Sequence, residues 1–230
     1  MPKGRTHSTT AVAIPTWQLM LVLVGLPAIY MANSLLPSSV GLFQRRDHTF
    51  FLPFWASIVV LHWGSVALIV LLLKRAGGRL ADIGLTVSPL NVIAMIAVPL
   101  VVGLALVMRR ELSGAIDAPL AERSPVLPAK FGEQLFWIFV SFTAGFCEEV
   151  TYRGFSIRML QGRNVRTSLA VGVATLAFFF MHGISALALS PFLVIYLSGL
   201  LFSALFLWRR SVVPGVCLHA LIDVANISAS

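Results

Sequence analysis

Apolar residues run along this chain in long blocks, broken by short polar or basic segments. A hydrocarbon core about 30 Å thick needs about 20 apolar residues in a helix. Seven blocks approach that length: residues 17–36, 51–73, 90–108, 135–157, 167–187, 191–208 and 213–229. Trp17, Trp55, Trp137 and Trp208 fall near the ends of these blocks, where interfacial anchors belong, while Trp63 lies inside one and is expected to pack between helices. The pattern predicts an all-α, polytopic membrane helix bundle of about seven transmembrane helices. The longest polar connection, 109–134, carries Pro119, Pro125 and Pro128. It divides an N-terminal membrane region of three helices plus their connecting loop (1–125) from a four-helix region (126–230).

Composition sharpens this picture. The chain is 58% apolar and 11% charged, with a mean hydropathy of +0.90. Ordinary globular domains are roughly 45–50% apolar and about 25% charged, so lipid must cover what a soluble core of this length could not bury. Two cysteines are too few for a disulfide framework. A net charge of +8 would suggest nucleic acid in a soluble protein. Here the basic residues cluster between apolar blocks, which makes them topology signals and contacts for anionic lipid headgroups, with no nucleic-acid partner expected. The more basic set of loops holds Lys3, Arg5, Lys74, Arg75, Arg79, Arg158, Arg163, Arg166, Arg209 and Arg210; the other holds Arg45, Arg46, Arg109, Arg110, Arg123 and Lys130. The positive-inside rule then puts the N-terminus in the cytoplasm, in a protein of the cell membrane. The first block is long and lacks a clean small-residue cleavage site, so it reads as an uncleaved helix rather than a signal peptide.

The candidate chemistry lies where charge is costly. Of nine acidic residues, only Glu148, Glu149 and Asp223 fall inside predicted spans, joined by Arg153, His182 and His219. An ionised group at mid-bilayer costs about 2.5–3.5 kcal/mol on insertion scales. Glu148 and His182 stand at equal sequence distance from residue 165, beside the turn Gly162-Arg163-Asn164. In a helical hairpin both would lie about 25 Å from that turn and face each other at one depth. His219 and Asp223, four residues apart, share a helix face. Glu149 and Arg153 form an i, i+4 pair with the acid first, so Glu149 is read as structural support that neutralises Arg153. Glu148 points about 100° away around the helix with no local cation, the situation of a general base.

Other readings of the same residues are a proton-coupled transporter, in which mid-span acids and histidines form a relay, and a zinc site of Glu148, His182, His219 and Asp223. The chain lacks the H-E-x-x-H spacing of many zinc peptidases and the G-x-S-x-G elbow of serine hydrolases. His62, alone in the second span, reads as a packing residue, as do Cys147 and Cys217 in apolar helix interiors.

Three segments carry a family resemblance. Glu148-Glu149-Val150-Thr151-Tyr152-Arg153-Gly154 resembles the EExxxR motif of the CPBP family, the CAAX-processing and bacteriocin-processing, abortive-infection-type intramembrane proteases. Phe178-Phe179-Phe180-Met181-His182 resembles its FxxxH motif, and His219-Ala220-Leu221-Ile222-Asp223 its final HxxxN or HxxxD motif. The resemblance covers about 135–229, so that 126–230 would be a CPBP-like catalytic core. It implies an intramembrane endopeptidase with Glu148 as base and His182 holding the water. His219 and Asp223 would support the oxyanion, with no cofactor and zinc as the alternative. Its substrate would be a peptide or protein, membrane-associated or lipidated. An asparagine at position 223 could donate to an oxyanion, whereas Asp223 must either be protonated, and so donate directly, or act through His219. The rivals from other classes are the transporter and a catalytically silent membrane adaptor.

Overall fold

In a computed structural model, residues 14–39, 49–86, 88–113, 125–183 and 187–228 are described, and no strand occurs among them. Among the described residues, seven longer helical segments follow one another, with a short 3₁₀ helix Leu80–Ile83 between the second and third. Helix α1 runs through Thr16–Met20, a π-helical turn Leu21–Gly25 and Leu26–Ser39; α2 is Phe51–Arg75 and α3 is Pro89–Ser113. Helix α4 joins Phe131–Glu148, a π-helical stretch Glu149–Ile157 and Arg158–Gln161. Then come α5 (Thr167–Phe180), α6 (Leu189–Arg209) and α7 (Val213–Val224), the last extended by a 3₁₀ turn Ala225–Ser228. Each falls on one predicted block, and the chain is an all-α membrane protein. Lys3, Arg5, Arg45, Arg46, Pro119 and Arg123 lie outside the described residues.

Thr16–Leu35, Phe51–Arg75, Pro89–Leu112 and Leu189–Arg209 are long and apolar enough to cross a membrane. Their outward faces carry large apolar side chains such as Val60, Leu90, Val101 and Leu197, which water would not tolerate in such number. Helix α4 is longer than any of them but holds Glu148, Glu149 and Arg153 at its centre. It survives there because the bundle wraps it: every residue from Glu149 to Ile157 is buried.

Helix α5 corrects the predicted span 167–187. It stops at Phe180, and the turn that follows contains Gly183 at φ +80°, a left-handed conformation that suits glycine and ends helices. Fourteen residues rise only about 21 Å, less than the hydrocarbon thickness. His182 therefore sits in a turn within the bundle rather than on a helix, in the kind of irregular backbone a membrane protein tolerates where it lines a cavity.

The four tryptophans near the block ends divide into two pairs. Trp17 and Trp208 are exposed, whereas half-buried Trp55 and buried Trp137 meet edge to face, with centroids 4.6 Å apart. Their indole N–H groups donate to the backbone carbonyls of Val126 (2.9 Å) and Asp223 (2.8 Å). A buried indole is stable when its N–H finds such a partner. Trp63 stacks on Phe146 of α4, as a residue packed between helices should.

Candidate active site

The site is built around the point where α4 changes from α- to π-helix. Glu148 ends the α part and Glu149 opens the π part. The wider turn is marked by Ser156 Oγ donating to the carbonyl of Thr151, five residues back (2.8 Å). Such π segments concentrate at functional sites, because they rotate side chains away from where an α-helix would aim them. Here two adjacent acids are sent to different places.

Glu149 turns into the protein. Its Oε1 lies 3.0 Å from Arg153 Nη1, with both side chains almost fully buried. The Arg153 guanidinium sits over the rings of Phe178 (4.1 Å) and Phe202 (5.2 Å), and Nη2 donates to the carbonyl of Gly199 (3.3 Å). A buried charge needs this much company. Glu149 Oε1 also lies 3.3 Å from His219 Nδ1 on α7. Gly215, one turn earlier on α7, makes the approach possible: a Cβ there would come within 2.6 Å of Glu149 Oε2. Glu149 therefore both neutralises Arg153 and orients His219.

Glu148 turns to a cavity of about 280 Å³ whose lining includes Tyr30, Trp55, His62, Trp137, His182, His219 and Asp223. The structure thus brings Glu148, His182, His219 and Asp223 to one chamber, with Glu149 and Arg153 behind it. His219 is central. It stacks on Phe202 (4.7 Å between centroids), and its Nε2 lies 3.6 Å from Glu148 Oε2 and 3.8 Å from Asp223 Oδ2. Both ring nitrogens face carboxylates, so the ring is placed to donate on both sides. The side chain of Asp223 is 27% exposed, against 7% for His219. His182 Nδ1 donates to the carbonyl of Phe178 (2.8 Å). That bond leaves Nε2 of a neutral ring as an acceptor.

One residue of the chamber is not the packing residue the sequence suggested. His62 of α2 places Nε2 2.9 Å from Glu148 Oε1, supplying the partner that Glu148 lacks on its own helix. Glu148 Oε2 makes no hydrogen bond and is buried. Cys147 and Cys217 are free thiols, with Cys147 buried and outside the main cavity lining. Among the described residues, no group of three or more histidine, cysteine or acidic side chains has the geometry to hold a metal ion.

Residues 130–225 match the model of the family described as Type II CAAX prenyl endopeptidase Rce1-like. The resemblance carried by the three motifs is real. The matched segment contains Glu148, Glu149, Arg153, His182, His219 and Asp223, and it excludes α1 and α2, which bring Tyr30 and His62 to the same chamber. No curated protein and no solved structure matches the chain.

Proposed function

We propose that this protein is an intramembrane endopeptidase that hydrolyses a peptide bond in or beside the bilayer with a glutamate-activated water. The observation that carries this reading is the buried Oε2 of Glu148, which makes no hydrogen bond and faces a chamber lined by His182 and His219 of the Rce1-like segment.

A water between Glu148 and His182 gives a proton to Glu148 Oε2 while its oxygen attacks the scissile carbonyl carbon. Nε2 of His182 accepts the water's second hydrogen and orients the attack. The π pair of the carbonyl moves onto its oxygen, and His219 donates from Nε2 to the developing oxyanion, where preorganised donors act most strongly. Collapse of the tetrahedral intermediate breaks the C–N bond, and Glu148 returns its proton to the leaving amine. Asp223, at 3.8 Å, supports His219 as a donor, which suits an aspartate where relatives of the motif carry asparagine. Glu149, on the opposite nitrogen, fixes the orientation of the ring.

An apolar groove of about 570 Å³ between α1 and α5 supports a membrane-associated or lipidated substrate. Helix α1 lines the groove with Met31 and the chamber with Tyr30 and Ser34; the end of α5 lines the groove with Phe180, and the turn after it lines the chamber with Met181 and His182. An apolar chain in the groove would lie beside the reacting bond. The N-terminus is assigned to the cytoplasm of a cell-membrane protein by the loop charges.

Comparison of the membrane proteomes of cells carrying the wild-type chain and Glu148→Ala tests the reading. Precursors with uncleaved termini should accumulate in the variant. Identical proteomes, with solute uptake by proteoliposomes of the purified protein, would replace the peptidase by a transporter.

A further inference from the structure

Among the titratable groups of the chamber, His62 has the most constrained geometry and no role in the mechanism above. Its ring is buried, with a side-chain exposure of 4%, and it makes a T-shaped contact with Tyr30, centroids 5.2 Å apart. Nδ1 lies 2.8 Å from the carbonyl of Ile58, one turn back on α2. A carbonyl oxygen only accepts, so Nδ1 carries a hydrogen. In a neutral ring Nε2 would then present a lone pair to Glu148 Oε1 at 2.9 Å, and two acceptors do not sit at that distance without a proton between them. One proton is therefore shared between Nε2 and Oε1. With it, His62 and Glu148 together carry no net charge, which is what burial of the pair requires.

We propose that His62 is a positioning residue of the hydrolytic site: through this shared proton it pins Oε1 of Glu148 and leaves Oε2 as the oxygen that meets the water. The inference rests on the reading of Glu148 as the base and adds to it a residue from outside the Rce1-like segment. The carboxylate hangs on a flexible side chain, and α4 offers Oε1 no hydrogen bond of its own. Fixing one oxygen by a partner on another helix fixes the plane of both. The α2 carbonyl that holds Nδ1 is thus part of how the base is aimed, and the site is not confined to residues 126–230.

The test uses the full-length protein in proteoliposomes and an internally quenched peptide ending in a prenylated CAAX sequence. Misplacement of a reacting group by about 1 Å can cost 10²-fold. His62→Leu should lower kcat by about that factor, with KM within about twofold of wild type and the protein still folded. His62→Gln, whose amide reaches the place of Nε2, should recover at least about tenfold over His62→Asn, whose shorter amide reaches only the place of Nδ1 and the Ile58 carbonyl. This comparison stands even if the leucine variant does not fold. A kcat for His62→Leu within about twofold of wild type, or His62→Asn matching His62→Gln, overturns the proposal while Glu148→Gln is inactive. Turnover by Glu148→Gln instead overturns the reading beneath it.

Discussion

Replacing Arg153 by leucine tests how the site is held. The change removes the cation of an ion pair at 3.0 Å whose side chains are 1% and 0% exposed. Glu149 would keep only His219 Nδ1, at 3.3 Å, and its Oε2 already lacks a partner. Leaving one member of a buried pair uncompensated costs about 3–5 kcal/mol. For a chain of this size each kcal/mol corresponds to about 2–4 °C, so Arg153→Leu should melt about 6–20 °C below wild type in detergent. The loss of the guanidinium from the faces of Phe178 and Phe202 pushes the effect toward the upper end. Glu149→Leu should fall by a similar amount, because it strands Arg153. The double variant Glu149→Leu/Arg153→Leu buries no lone charge and should recover a substantial part of the summed loss. Its turnover should stay low, since His219 has lost the acceptor on Nδ1. Differential scanning fluorimetry on the four proteins, with activity measured below the lowest Tm, separates the two effects. Single variants melting within about 2 °C of wild type would refute the argument, as would a double variant that loses the full sum.

Gly215→Ala drives a methyl group against Glu149 Oε2, displaces α7 and should cost about 1–3 kcal/mol together with a loss of kcat; a wild-type melting curve would contradict the close approach. Exhaustive chelation should leave turnover unchanged, because Glu148, His182 and His219 supply the proton transfers and the oxyanion donor. Loss restored by stoichiometric zinc would make the protein a metalloprotease. Asp223→Asn should keep measurable turnover, within about 10²-fold of wild type, since it supports His219 from 3.8 Å rather than touching the reacting atoms; complete inactivity would assign Asp223 a direct role.

The spans were legible because lipid turns burial into length: a block of apolar residues must be a helix when no water is present to satisfy its backbone. The cluster was legible because charge in lipid is costly, which made Glu148, Glu149, Arg153 and Asp223 conspicuous in a chain with few charges. The early end of α5 was not, since an apolar block does not reveal where its helix stops; Gly183 was the available signal. The indoles of Trp55 and Trp137 looked like anchors because their position in a span is the same whether the ring faces lipid or a neighbouring helix. His62 was missed for a different reason. A lone histidine in an apolar helix reads alike whether it meets a carbonyl or an acid 86 residues away. The clue was on the other side: Glu148, whose helix commits Arg153 to Glu149, needed a partner from another.

Hydrolysis of the quenched prenylated CAAX peptide by purified Glu148→Gln in proteoliposomes is the most direct test of the central claim. The substitution keeps the shape of the side chain but removes the oxygen that takes the proton from water. Losing a general base and its hold on the water should lower the rate by at least about 10²–10⁴-fold, while the variant inserts and melts as a folded protein. Near-normal turnover by that variant would contradict glutamate-dependent hydrolysis in this protein.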